Sequence, residues 1–135
     1  MILRGRKVSQ GKAEGEAIVC NGPFSFLGDL DPLTGTFSVK GHELEGQSLK
    51  GKIFIFTTGK GSTAGSSVAI QAKLGGMTPA GMICLEAEPI IAAAVIAAGI
   101  PMVDRLDHNP FEVIKSGDFI RMDATRGIVE VESKD

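Results

Sequence analysis

Four consecutive apolar residues, Ile53-Phe54-Ile55-Phe56, stand between Gly51 and Gly59. A strand with one wet face alternates apolar and polar side chains. An unbroken run is expected where a strand is buried on both faces, inside a layered sheet. The residues after this run fit such a layer. Thr57 to Gly65 reads as a loop, Ser66 to Leu74 as a helix closed by Gly75-Gly76, and Ala80 to Leu85 as a second buried strand. Pro89 suits the first turn of a helix running to Ala98, with Gly99 past its end. Ile100 to Val103 is a third strand candidate, and Pro110 to Lys115 a short helix. Phe119 to Met122 and Gly127 to Val131 are expected to pair as closing strands.

The first half is richer in glycine and in β-type residues. Val8 and Ala17 to Val19 lie in short segments separated by Gly11, Gly15 and Gly22. Phe24 to Leu27 and Thr36 to Val39 read as further strands. Asp31 to Gly35 is a turn signal, since Pro32 presets φ and Gly35 tolerates positive φ. The expected class is α/β, with a β-rich N-terminal half followed by a β-α-β-α-β half. No repeat or linker divides the chain, so residues 1–135 are expected to form one domain.

Composition argues against several functions. There is no Trp and no Tyr, and the seven Phe are needed for the core, so stacking on nucleic acid has little to work with, and a net charge of -2 argues against a broad basic footprint. The most apolar run, Ile90 to Ala98, falls well short of the roughly 20 residues that span a bilayer. The N-terminal MILRGRKVSQGK lacks the apolar stretch of a signal peptide. A cytoplasmic protein is expected. Cys20 and Cys84 belong to no CxxC pair, so they read as buried free thiols and supply no metal site by themselves.

The chemistry concentrates in Thr57-Thr58-Gly59-Lys60-Gly61-Ser62-Thr63-Ala64-Gly65-Ser66. Three glycines let the backbone turn and approach a ligand. The start of the following helix offers N–H groups and partial positive charge, and Lys60 adds a full charge. Ser62, Thr63 and Ser66 add hydroxyls. The local pattern fits either a glycine turn with a Ser or Thr cap or a site for phosphate or carboxylate. It is not a P-loop, because Gly61 follows Lys60 where a Ser or Thr is required. It does match a dinucleotide pattern at Gly59, Gly61 and Ala64, with Glu86 placed 22 residues past Ala64 as the ribose acid. Against that reading, some 50 residues of β-rich chain precede the loop, and too little chain remains beyond it for a second nucleotide half.

At this loop the sequence resembles the swivel-domain family of aconitase X. The match rests on Gly15-Glu16-Ala17, Phe24-Ser25-Phe26-Leu27-Gly28 with Asp31 and Gly35, and Gly51-Lys52-Ile53. It continues through Gly59-Lys60-Gly61-Ser62-Thr63-Ala64-Gly65-Ser66 and the run from Glu88-Pro89-Ile90-Ile91 to Ile100-Pro101. The resemblance implies a swivelling β/β/α domain like the mobile domain of aconitase. It implies a larger partner subunit that carries a four-iron four-sulfur cluster and most of the substrate site. It also implies a hydro-lyase reaction, loss of water from the small phosphorylated hydroxy acid 5-phosphomevalonate to give trans-anhydromevalonate 5-phosphate. Ser62 is implied as the catalytic base, with Lys60, Gly61, Thr63 and Ser66 as substrate-binding residues. Many members of the family carry Arg in place of Lys60 and Cys in place of Thr63, hydroxyproline dehydratases among them. Lys60 and Thr63 look more like the phosphomevalonate subgroup.

A serine hydroxyl is a poor base unless its alkoxide is stabilised by N–H donors, a helix N-terminus and cations. Gly61, Thr63 and Ala64 amides and Lys60 are the candidates for that work. The remaining polar residues read as bland. His42 and His108 are expected at the surface. Glu86, Glu88 and Asp104 are expected to be solvated loop acids on the rim where open sheets bind ligands. Arg4, Arg6, Lys7 and Lys12 are expected to form a solvated edge, or to meet an acidic partner surface. Ser25 and Phe26 have two readings, lining the cleft or packing within a strand, of which strand packing is preferred, and the helix over Ile90 to Ala98 is expected to lie in the core. Three functions compete: a subunit that donates Ser62 across an interface, a stand-alone anion- or nucleotide-binding module, and a structural swivel domain whose loop binds nothing.

Overall fold

The computed structural model describes Met1–Lys134. Eight strands run as β1 (Ile2–Arg4), β2 (Arg6–Ser9), β3 (Lys12–Val19), β4 (Ile53–Phe56), β5 (Gly81–Cys84), β6 (Met102–Asp104), β7 (Phe119–Asp123) and β8 (Ile128–Glu132). The helices are α1 (Phe26–Asp29), α2 (Gly65–Leu74), α3 (Pro89–Ala98) and α4 (Pro110–Val113). The strand order is β1-β8-β7-β3-β4-β5-β6-β2. β3 belongs to two sheets. Its first part, Lys12 to Glu16, pairs antiparallel with β7, and its last part, Ala17 to Val19, pairs parallel with β4.

Three layers result. One sheet, β1-β8-β7-β3, is antiparallel. The other runs parallel through β3-β4-β5-β6 and ends on antiparallel β2. Alternation along β4 splits its side chains between two cores. Phe54 and Phe56 join Met82, Cys84 and Met102 against Ala69, Ala72, Ile91, Ala94 and Val95 of α2 and α3. Ile53 and Ile55 join Ile83 and Val103 against Ile120, Met122, Val129 and Val131 of the antiparallel sheet. All four residues of β4 are buried, which is the physical meaning of the unbroken apolar run.

The second half keeps closely to the sequence expectation. α3 has the expected bounds, with Gly99 in the left-handed region at φ 70°. α2 begins at Gly65 rather than Ser66. β7 and β8 pair antiparallel as expected. No helix among the described residues is long and apolar enough to cross a membrane.

The first half departs from expectation twice. Phe24 to Leu27 is not a strand. Phe24 makes one parallel bridge to Gly59, and the chain then winds into the single turn of α1. Two local groups force the turn. The Asp29 carboxylate accepts the Ser25 N–H at 3.0 Å, and Gly28 takes φ 94°. Thr36 to Val39 is not a strand either. It makes only isolated bridges, Leu30 to Phe37 and Thr36 to Ser48, between turns at Gly35, Gly41 and Gly46. The segment instead folds over the helical face of the sheet and buries Phe37, Leu44 and Leu49. β1 is an addition to the expected elements, and β2 gives the short segment around Val8 its bounds. They form because Leu3 is fully buried and Ser9 nearly so, while the basic side chains between them face outward.

Phe54 contacts Phe24 at 4.9 Å between ring centroids and Phe56 at 5.5 Å. Truncating it empties the centre of this core. Phe54→Ala is expected to lower stability by about 3–5 kcal/mol, read from urea or guanidinium unfolding.

Candidate active site

The loop after β4 is held in place before it reaches Ser62. Phe24 donates its N–H to the Thr58 carbonyl at 3.0 Å, and its own carbonyl accepts the Lys60 N–H at 3.1 Å. On the other side, the Thr58 hydroxyl donates to the Glu86 carbonyl at 2.7 Å, and the Leu85 N–H donates to the Thr57 carbonyl at 3.0 Å. Gly59 lies under this clamp. A Cβ there would land on the Glu88 carboxylate and sit 2.8 Å from Ile91 Cβ. Gly61 is also tight, since its Cβ would come within 3.1 Å of Ile90. The glycines thus serve close packing against the start of α3.

Ser62 and Thr63 are both exposed at the tip of the loop, and Ser66 is half-buried in the first turn of α2. The Ser62 hydroxyl accepts the Ala64 N–H at 3.2 Å, and the Ser62 carbonyl accepts the Gly65 N–H at 2.9 Å. The residue capping α2 is Ala64, which offers no side-chain bond. Ser62 therefore closes a turn one step before the helix, and its oxygen stays at the surface. Its N–H donor comes from Ala64, one of the amides the sequence put forward. The N–H groups of Ser66 and Ser67, in the first turn of α2, have no acceptor within the helix.

Lys60 does not stand free. Its ammonium lies 3.2 Å from the Asp29 carboxylate, which is buried. Ser25, expected as strand packing, instead lines a cleft together with Lys60, Gly61, Ser62, Glu88 and Ile90. That cleft holds about 180 Å³ even with open space included. Sites for small ligands usually offer roughly 300–1,000 Å³. The loop displays reactive groups on a surface without enclosing a substrate. A roomier hollow, lined by Lys12, Glu14, Arg121, Asp123 and Glu130, lies on the outer face of the antiparallel sheet. Its lining carries two basic and three acidic side chains and includes no serine, threonine or cysteine.

Two of the three rim acids are not solvated. Asp104 is fully buried and takes Arg6 through Nε at 2.9 Å and Nη2 at 2.7 Å. It also accepts the Ala87 N–H at 2.7 Å. Arg6 is accordingly an ion-pair partner and not only part of a solvated edge, and the Asp104 carboxylate holds its pKa above the ordinary value. Glu88 caps α3 by accepting the Ile90 and Ile91 N–H groups. Glu86 is exposed, as expected, and pairs with Arg105 at 2.8 Å. Of the histidines, His108 is at the surface. His42 is half-buried: its ring packs against Phe37 at a tilt, with 4.6 Å between centroids, and Nδ1 accepts the Leu44 N–H at 3.0 Å. Sequence reasoning missed Asp29 and the cap at Glu88, and for Ser25 it preferred strand packing to a place in the cleft. Only Glu88 left a legible sign, because an acid just before Pro89 matches a helix start.

The thiols do not suit a cluster. Cys20 and Cys84 are free and buried, and burial pushes the Cys84 thiol up to about 12 and raises that of Cys20. No group of three or more His, Cys, Asp or Glu side chains among the described residues is placed to hold a metal ion.

This geometry can be tested at Gly59 and at Cys84. Gly59→Ala is expected to cost about 1–3 kcal/mol in unfolding experiments, because it forces the loop away from the cap of α3. For Cys84, folding raises the pKa above the ordinary thiol value of 9.0, so the fold holds the proton more tightly than the unfolded chain does. The stabilisation from this is complete below pH 9.0 and lost as pH rises toward about 12. Unfolding measured across that range is expected to show the decline, and Cys84→Ala is expected to flatten it.

Comparison with known proteins agrees with the layered fold. The family model described as the aconitase X swivel domain matches residues 2–131. The chain is 50% identical over 131 residues to the phosphomevalonate dehydratase small subunit of Methanocella arvoryzae, covering 97% of this chain and 99% of that protein. It is 48% identical to the protein of the same name from Thermococcus onnurineus, covering 98% and 99%. The crystal structure of Thermococcus kodakaraensis aconitase X, holo-form, superposes with a TM-score of 0.91 at 44% identity, covering 98% of this chain and 99% of that one. With its layered fold and its Ser62 loop, this chain belongs to the aconitase X swivel-domain family.

Proposed function

We infer that this chain is the small subunit of a hydro-lyase that removes water from 5-phosphomevalonate, with Ser62 supplying the base. The observation that carries this is the exposed Ser62 oxygen, which accepts an amide N–H beside the start of α2 on a loop too open to enclose a substrate. The relatives named for this dehydratase match across nearly the whole chain. A second, larger chain completes the site in this reading and carries the four-iron four-sulfur cluster. The buried thiols here do not suit that role.

The reaction asks for one proton to leave the carbon beside the substrate carboxylate. The electron pair of that C–H bond forms the new double bond as the C–O bond to the departing hydroxyl breaks. The proton passes to Ser62 Oγ, the hydroxide leaves as water after taking up a proton from solvent, and Ser62 returns its proton to solvent to restore the base. To accept a proton, Ser62 must be held as an alkoxide. The Ala64 N–H and the positive end of α2 favour that charge. Lys60 adds a cation at the cleft and is suited to an anionic group of the substrate, as are the first-turn N–H groups and the Ser66 and Thr63 hydroxyls. Gly61, read as a further substrate-binding residue, offers a backbone without a side chain in the same cleft.

The test is anaerobic co-purification with the cysteine-bearing large subunit, followed by mass spectrometry of 5-phosphomevalonate. The wild-type complex is expected to form trans-anhydromevalonate 5-phosphate. Ser62→Ala is expected to lower the rate by about 100- to 10,000-fold while the complex and fold persist. A fully active Ser62→Ala complex defeats the base assignment. A cluster-loaded wild-type complex that leaves phosphomevalonate untouched but dehydrates hydroxyproline moves the chain to the other branch of the family.

A further inference from the structure

Asp29 is one of the few buried carboxylates in the chain, with only 6% of its surface exposed. A charge in that position is costly without partners. Its Oδ2 has two, the Ser25 N–H at 3.0 Å and the Lys60 ammonium at 3.2 Å. The Lys60 side chain is 51% exposed. A lysine that open to water ordinarily samples many rotamers and offers no fixed cation. Asp29 and Lys60 lie far apart in sequence and meet because Phe24 pairs with Gly59. The contact is therefore built by the tertiary fold, at the mouth of the cleft that Lys60 shares with Ser62.

We propose that Asp29 is a positioning residue that holds the Lys60 ammonium at the Ser62 cleft for an anionic group of the substrate. This rests on the reading of Lys60 as a substrate-binding residue. An ammonium carries three donors, so one given to Asp29 leaves others for a ligand oxygen. The pair also explains why the cation sits on a buried acid and not on a surface one. A buried carboxylate is itself fixed, by the Ser25 N–H and the turn at Gly28, and so fixes its partner.

The test is a double-mutant cycle for binding, made in the complex with the large subunit on a Ser62→Ala background. Calorimetry with 5-phosphomevalonate then reads affinity without turnover. Asp29→Asn keeps the volume and an acceptor for the Ser25 N–H while removing the charge. It is expected to weaken binding about tenfold, as is Lys60→Ala, in line with loss of a charge-assisted contact. The double variant is expected to bind no more weakly than Lys60→Ala alone, because Asp29 acts through Lys60. Undiminished affinity in Asp29→Asn, with Lys60→Ala impaired, overturns the proposal and leaves the Lys60 reading intact. An equal loss from Asp29→Asn in both backgrounds also overturns it and makes Asp29 a support for the loop alone. Undiminished affinity in Lys60→Ala, or a parent complex that does not bind 5-phosphomevalonate, overturns the site reading and this proposal with it.

Discussion

The ring of Phe24 is fully buried, with Phe26, Phe54 and Phe56 around it at 5.1, 4.9 and 5.7 Å between centroids. Its backbone holds the functional loop from both sides of Gly59. A single residue therefore joins the helical-face core to the loop that carries Ser62. The rest of the site depends on that junction. Without it Asp29 would not reach Lys60, and the start of α3 would have no surface on which to press Gly59 and Gly61. β4 supplies the other half, because Phe54 and Phe56 face the helices while Ile53 and Ile55 face the second sheet. A strand locked between two cores is a rigid base for the loop that leaves its end.

Buried carboxylates do comparable work around the same rim. Asp104 ties β2 to β6 through Arg6 and holds the Ala87 amide, one residue before the cap at Glu88. Asp29 ties α1 to the loop through Lys60. Ion pairs of this kind contribute little net stability, since desolvation offsets most of the Coulomb attraction. Their effect is on geometry. Each removes alternatives in a loop that leaves the end of a parallel strand.

The arrangement suits a component that presents a base rather than one that encloses a reaction. The loop offers hydroxyls, amides and a paired cation on an open surface, and the cleft beneath it is smaller than ligand sites usually are. In the proposed assembly the walls and the metal chemistry come from the larger chain. The small chain is then asked for rigidity in the loop and freedom in its placement against the partner, which fits a domain whose cores are complete without the loop tip.

Much of this was legible in the residues. The apolar run at Ile53 to Phe56 determined a strand buried on both faces, because no other element hides four successive apolar side chains so simply. Pro89 and Gly99 marked the ends of α3, and the glycine-rich stretch marked the loop, because such residues carry their conformational preferences with them. Phe24 to Leu27 and Thr36 to Val39 misled, since β-type side chains fill a core equally well from turns. Tertiary structure alone decided that Asp29 meets Lys60 and that Asp104 is buried on Arg6. Those contacts join segments far apart in the chain. No local preference encodes them, and they exist only once the sheets and helices have closed around the phenylalanine core.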